Sequence, residues 1–306
     1  MRTGLETERK LTKQVLHAIA PILAQRYVER FAQNYHAFYA YSPGSSHSKI
    51  LVLVYPEFLR VVITSCNMMD IDTIGGDNHW YIHDMPKLSS QTNSASKFET
   101  ELLAHLEALS TPSAFIDSIR GWYDYTEVGV HLVTSVPGVQ AGENAEKHGL
   151  LRLRRVLLDL DLGLPEKNSE DLRLEVCTAS LGNLSAKWLN GFNDCALGKS
   201  SMTVADDDST VPDVKLFYPS VTDVKEKANI DAQMAASNIG CHIRPWEKAS
   251  AGIKNIFHHY ESKDTGRLFH QKFILAYNPR NSTALPYYVY IVRNLFLWRA
   301  HQDPLF

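Results

Sequence analysis

Ile50-Leu51-Val52-Leu53-Val54-Tyr55, then Pro56-Glu57, then Leu59-Arg60-Val61-Val62-Ile63-Thr64 is the stretch on which the fold turns. Two short β-branched apolar runs on either side of a turn signal predict two strands. Their near-continuous apolar composition predicts burial on both faces, hence the centre of a sheet covered by helices. Upstream, Leu11, Val15, Ala18, Ile22 and Val28 recur at helical spacing within 7–38, with Pro21 expected to kink that helix, and Ser42-Pro43-Gly44-Ser45-Ser46 reads as a loop. Downstream, Ser96-Lys97-Phe98-Glu99 has the form of a capping box, with Phe98, Leu102, Leu103, Leu106 and Leu109 as the apolar face behind it. A helix over 114–122 and a strand over 129–135, ended by Val136-Pro137-Gly138, are expected next.

The polar stretch 140–147 reads as a linker, so the sequence predicts two domains, 1–142 and 143–306. The second opens with a helix carrying Leu150, Leu153, Val156, Leu157 and Leu160. A strand over 174–178 and a helix over 186–191 follow. Strands alternating with helices make the expected class α/β.

Composition excludes several classes. With 44% hydrophobic and 21% charged residues among 306, the chain has the apolar side chains a core needs, which disordered proteins lack. A net charge of −3, from 31 basic and 34 acidic residues, requires any basic groove to be local. Cys66, Cys177, Cys195 and Cys241 show no Cys-x-x-Cys spacing and read as buried thiols in a reducing compartment. The longest apolar runs, 50–55 and 287–292, are far short of the ~20 residues that span a bilayer, and charges at Arg2, Glu6, Glu8, Arg9 and Lys10 replace a signal sequence. A soluble intracellular protein is expected.

Two histidines stand in a repeated context. His47-Ser48-Lys49 precedes one apolar run ending in Tyr55, and His270-Gln271-Lys272 precedes another ending in Tyr277. At strand spacing, residues i and i+2 share a face, so each imidazole is expected to project beside one ammonium. Two such couples, brought together by a pseudo-two-fold arrangement, suit phosphodiester cleavage. One neutral imidazole attacks phosphorus, the other donates a proton to the leaving oxygen, and the lysines hold the nonbridging oxygens. This scheme requires no metal. Thr64-Ser65-Cys66-Asn67 adds an asparagine suited to holding a phosphate.

Other constellations point to structure. Ala205-Asp206-Asp207-Asp208-Ser209-Thr210 reads as a solvated loop rather than a metal site. His79 and His83 flank Trp80-Tyr81-Ile82, a strand-like stretch that separates them too far for one metal. Arg152, Arg154 and Arg155 read as the solvent face of a leucine-rich helix, and Trp122, Trp188, Trp246 and Trp298 as core residues with base stacking as the alternative.

The two His-x-Lys motifs, with Leu59–Asn67, resemble the active-site motifs of the tyrosyl-DNA phosphodiesterase family, a branch of the phospholipase D superfamily. Thr134-Ser135-Val136-Pro137-Gly138, the turn Thr178–Leu184 followed by Lys187-Trp188-Leu189, and Leu216–Val221 are similar as well. Most superfamily members carry an Asp where Val54 and Tyr277 stand here, which favours the tyrosyl-DNA branch over lipid hydrolases.

The resemblance implies two similar phospholipase D-like α/β/α sandwich domains related by a pseudo-two-fold, with the active site between them. It implies His47 as the nucleophile that forms a phosphohistidine and His270 as general acid and base. Lys49 and Lys272 are implied to stabilise the phosphoryl oxygens, with Asn67 completing the first half-site. Ser180 and Asn183 fall in a turn that contacts the DNA backbone in the family, although Ala179 and Asn183 stand where serines are expected. The implied partner is a single-stranded or duplex DNA 3′ end carrying covalent tyrosine or peptide, with no cofactor and no membrane. The implied location is the nucleus, with no import signal in the sequence.

From Val292 the sequence departs from the family pattern, and Asn294 stands as a nominal replacement for a family asparagine. Few elements precede His47. The sequence therefore reads as a chain shortened at both ends. A catalytically impaired remnant, a DNA-end-binding module and a phospholipase D-like lipid hydrolase remain as alternatives.

Overall fold

The computed structural model describes residues 48–68, 70–162, 172–182, 184–202, 210–227, 240–241, 243–259, 267–280 and 288–291. The expected helix over 7–38, the loop 42–46, most of the acidic loop, and His47, Asn183, Asn294 and Trp298 lie outside the described residues.

Strands β1 (Ile50–Val54) and β2 (Phe58–Thr64) form the expected hairpin, in the register Ile50↔Ile63 to Val54↔Leu59. Tyr55 N–H donates to Phe58 O at 2.9 Å and closes the turn over Pro56-Glu57. On the other side of β2 lies β4 (Trp80–Pro86), also antiparallel, so among the described residues the sheet order is β1-β2-β4. Among the described residues only β2 is central and β1 is an edge, with Val54 53% exposed, because the chain returns to β2's far side after a long loop.

One face of this sheet carries Leu59, Val61 and Met85, all fully buried against α2 (Lys97–Ala108) and α3 (Ser113–Ile119). Phe98, Leu102, Leu103 and Leu106 recur on the inner face of α2, each contributing about 2 kcal/mol by removal from water. Ser96 caps α2, its Oγ accepting from Glu99 N–H at 3.0 Å. The reciprocal half of the capping box is not made. Glu99, 2% exposed, turns its carboxylate to Gly121 N–H at 2.6 Å. Gly121 has φ +72°, and a Cβ there would lie 2.2 Å from Thr92 O, so the close approach and the backbone both require glycine.

The second core is built on a mixed sheet that has five strands among the described residues, in the order β12-β11-β5-β7-β9. Its strands are β5 (Arg173–Cys177), β7 (Val214–Phe217), β9 (Phe257–His258), β11 (Phe273–Tyr277) and β12 (Tyr288–Ile291). β5, β7 and β9 run parallel, and β11 is antiparallel to both β5 and β12. Leu153 and Leu157 of α4 (Gly149–Asp159) and Leu189 and Phe192 of α5 (Ala186–Ala196) pack on Leu174, Val176, Leu216 and Ile274. The expected linker is partly a 3-10 turn over Gly142–Lys147. No described helix is long and apolar enough to cross a membrane.

Two expectations change. Residues 129–135 form no strand: Leu132 N–H donates to Glu101 Oε2 at 3.0 Å, so a side chain, not a neighbouring strand, satisfies this backbone. Of the α4 arginines Arg155 faces solvent as expected, its side chain 52% exposed, whereas Arg152 and Arg154 do not. Arg152 is paired with Glu101 of α2, their side chains 15% and 13% exposed, and so ties the second core to the first. Arg154 donates to the carbonyls of Lys199 and Ser200 at 2.7 and 2.6 Å, holding the end of α5. A second tie between the cores is a parallel pair of two-residue strands, β3 (Gly76–Asp77) and β10 (Leu268–Phe269).

Candidate active site

Where β2 runs out at Thr64, the chain makes a loop and returns as β4, and the neck of that loop is tied by hydrogen bonds. Thr64 Oγ1 donates to His79 O at 2.7 Å, Ser65 Oγ donates to Asn78 Oδ1 at 2.7 Å, and Thr64 N–H donates to Lys49 O at 3.2 Å. Lys49 and Asn67 thereby sit at the same end of the first sheet, at the start of β1 and just past the end of β2. Inside the loop is Asp72, on the short helix α1 (Asp70–Gly75), with no exposed surface. Its Oδ2 accepts from Asn67 N–H at 2.5 Å, and its main-chain carbonyl accepts from Asn78 Nδ2 at 2.8 Å. The loop is so tight that a Cβ on Gly76 would lie 2.6 Å from Asp72 O and 2.7 Å from both Asp72 Oδ1 and Asn78 Nδ2.

The second His-x-Lys docks into this loop. Pairing of β10 with β3 delivers His270, whose N–H donates to Asp77 O at 3.1 Å. Gln271 Nε2 donates to Asp77 Oδ1 at 3.0 Å. The His270 ring is 3% exposed, with Nδ1 at 3.0 Å from Asn78 Oδ1 and 3.2 Å from Asp72 Oδ1. Lys272, 1% exposed, donates from Nζ to His270 O at 2.7 Å.

The expected strand geometry does not hold at this motif, because β11 starts only at Phe273. His270 and Lys272 lie in the connection between β10 and β11, and the ammonium folds back on the histidine's own carbonyl. The pairing Phe273↔Cys177 places the start of β11 beside the end of β5, from which the turn carrying Ser180 emerges. That turn is folded on itself: Thr178 Oγ1 donates to Ser180 O at 3.0 Å, and β6 (Ser180–Leu181) pairs with β8 (Gly240–Cys241).

Of the residues singled out from sequence, the structure ties Lys49, Asn67, His270 and Lys272 into one hydrogen-bonded neighbourhood, with Ser180 at the adjoining sheet end. His47, Asn183 and Asn294 lie outside the described residues. Sequence reasoning missed Asp72 and Asn78. A turn signature, Gly75-Gly76-Asp77-Asn78, marked the loop, but nothing local says that an aspartate and an asparagine there face a histidine from the other end of the chain.

Burial pushes the thiols of Cys177 and Cys195 up to about 12, so neither is a nucleophile at neutral pH. No group of three His, Cys, Asp or Glu side chains is arranged to hold a metal among the described residues. The His83 ring instead stacks on Tyr81, centroids 6.2 Å apart. A neutral or protonated imidazole beside a buried ammonium can donate or accept a proton next to a bound anion, as phosphoryl transfer requires.

Comparison with known proteins agrees with this chemistry. The chain is 28% identical over 220 residues to Arabidopsis thaliana tyrosyl-DNA phosphodiesterase 1, a match covering 67% of this chain and 35% of that protein. It is 22% identical over 186 residues to a Caenorhabditis elegans probable tyrosyl-DNA phosphodiesterase, over 60% of this chain and 41% of the relative. These matches span well under half of either relative. The fold is similar to crystal structures of yeast tyrosyl-DNA phosphodiesterase. A histidine-to-asparagine variant matches with a TM-score of 0.58 at 13% identity, over 78% of this chain and 59% of that one. The unsubstituted yeast enzyme matches with a TM-score of 0.54. The family model for tyrosyl-DNA phosphodiesterases matches residues 6–295, and this chain, mixed α/β in fold, belongs to that family.

Proposed function

We propose that the chain is a DNA-repair phosphodiesterase that hydrolyses the bond between a DNA 3′-phosphate and a tyrosine or peptide. One observation carries this reading: the hydrogen-bonded path from the Lys49 carbonyl and Thr64 through Ser65 and Asn78 to His270 and Lys272, which links Lys49 of the first motif to the second. His47 attacks phosphorus. The phosphorus–oxygen bond to tyrosine breaks with its electron pair on the phenolic oxygen, and His270 supplies the proton. His270 then takes a proton from water, whose oxygen attacks the phosphohistidine and frees His47. Lys49 and Lys272 hold the nonbridging oxygens while charge shifts, Asn67 completes the first half-site, and Ser180, Asn183 and Asn294 meet the DNA strand.

In this reading the halves 1–142 and 143–306 are phospholipase D-like sandwiches related by a pseudo-two-fold. The two separate cores, one between Leu59 and Leu132 and one between Leu153 and Ala276, support it. The scheme needs no metal, and the substrate places the protein in the nucleus.

A 3′-phosphotyrosyl oligonucleotide, single-stranded or duplex, incubated with the chain in EDTA tests the reading. Release of tyrosine supports it, and His47→Ala then abolishes both turnover and covalent labelling. DNA-end binding without turnover assigns a binding module instead, and hydrolysis of a phospholipid without either assigns a lipid enzyme. DNA binding by phosphate contact weakens as salt rises.

A further inference from the structure

We propose that Met68 is a specificity-determining residue for the leaving group: its exposed thioether side chain receives the aromatic ring of the tyrosine while the phosphate sits at the His-x-Lys motifs. This rests on the function proposed above and names the part of the site that recognises the ring.

The loop between β2 and β4 is inverted in polarity. Thr64, Ser65 and Asp72 are buried, whereas Met68 is 47% and Ile74 79% exposed. A loop that only connects two strands does the opposite, because water solvates polar side chains and apolar ones gain by packing. The buried polar set is accounted for by the hydrogen bonds that close the neck of the loop and by the contact with His270. Those bonds use no part of the Met68 or Ile74 side chains.

The backbone at Met68 is held where methionine rarely sits. Its φ is +56°, a left-handed conformation that favours glycine or asparagine. Bonds on either side of the residue hold it there. Met68 N–H donates to the sulfur of the fully buried Cys66 at 3.4 Å, and Asn67 N–H donates to Asp72. Residues kept in such a conformation cluster at ligand clamps and active sites. Glycine or asparagine fits this backbone without strain. What methionine adds is a long, flexible and polarisable apolar side chain.

The neighbours of Met68 place it. One oxygen of Asp72 accepts from Asn67 N–H, and the other lies 3.2 Å from His270 Nδ1. Met68 follows Asn67, with its Cα about 3.8 Å further on. In the proposed reaction His270 protonates the leaving oxygen, so the phenol lies on the side of the loop that holds His270. The turn carrying Ser180 adjoins the start of β11 instead, where the DNA strand is proposed to run. Met68 is thus placed for the ring and not for the DNA strand. Sulfur packs favourably against an aromatic ring at about 5 Å, and an apolar rim removes the ring from water.

Binding to the His47→Ala chain, which holds the substrate without turnover, tests the proposal. Two oligonucleotides are compared, one ending in a 3′-phosphotyrosine and the same strand ending in a 3′-phosphate. Met68→Asn suits the left-handed backbone and removes the apolar side chain. It should weaken the tyrosyl end about twofold to tenfold more than the phosphate end, and Met68→Leu should recover most of that difference. Methionine methyl-13C NMR reads the contact directly, with the Met68 signal identified by its loss in Met68→Leu. That signal should shift with the tyrosyl end and not with the phosphate end. An equal shift with both, or a folded Met68→Asn that weakens both ends equally, overturns the proposal. Should Met68→Asn not fold, the methyl signal decides. An unsubstituted chain that releases no tyrosine, yet shifts Met68 only with the tyrosyl end, overturns the proposed hydrolysis and leaves Met68 as the ring's contact. Release of tyrosine with the Met68 signal unmoved by the tyrosyl end keeps the function and removes Met68.

Discussion

Asn78 and His270 meet at 3.0 Å between amide oxygen and ring nitrogen across 192 positions of sequence. The contact lies at the seam of two separately packed cores, so the geometry of the second His-x-Lys depends on the first half being folded. Among the described residues the side chains of Ser65, Asp72, Asp77 and Gln271 and a two-residue parallel ladder also hold the seam at this point.

Gly76→Ala should open the loop that holds Asp72. A Cβ at that position lies 2.6–2.7 Å from main-chain and side-chain atoms of Asp72 and from Asn78, too close without movement of the backbone. The expected cost is ~1–3 kcal/mol, as for other overpacking, read as a lowered urea midpoint with unchanged slope. A variant as stable as the parent chain would show that the loop relaxes freely.

His105 should make the folded protein acid-sensitive. Burial, with His148 nearby, pushes its imidazole down to about 4 from 6.5, so the folded form resists protonation. Above 6.5 both states are neutral and nothing is lost. As pH falls from 6.5 towards 4 the unfolded chain binds a proton that the native chain does not, and stability drops by up to ~3 kcal/mol. Urea unfolding at pH 7 and pH 5 should show this loss, and His105→Leu should reduce it. An equal pH dependence in the variant would place the acid sensitivity elsewhere.

Arg152 and Glu101 join the two cores through a largely buried pair, and Glu101 also accepts Leu132 N–H. Arg152→Met should cost ~3 kcal/mol because it strands a carboxylate away from water. In a double-mutant cycle with Glu101→Gln, the coupling should exceed about 1 kcal/mol. Independent, additive effects would mean that the pair contributes no more than an exposed one.

Lys272→Met should cut kcat for the phosphotyrosyl oligonucleotide by about 10²–10³-fold, the usual cost of losing one donor to transition-state charge. KM should change less. The side chain is buried and its ammonium holds the His270 carbonyl, so circular dichroism and thermal unfolding must accompany the kinetics. A folded variant of full activity would remove Lys272 from the mechanism.

What was legible from the residues alone was local. The β1–β2 hairpin, the Ser96 cap on α2, the apolar faces of α2 and α4 and the two His-x-Lys motifs all follow from side-chain periodicity and turn chemistry over a few positions. Destinations were decided by tertiary structure. Glu99 fitted a capping box but found Gly121, residues 129–135 looked like a strand but met Glu101, and Arg152 and Arg154 of α4 looked solvated but bind Glu101 and the end of α5. Asp72 and Asn78 belong to this second group. A carboxylate or an amide is satisfied by whichever donor the fold brings within 3 Å or so, and that donor is set by how two cores dock, which no window of neighbouring residues encodes.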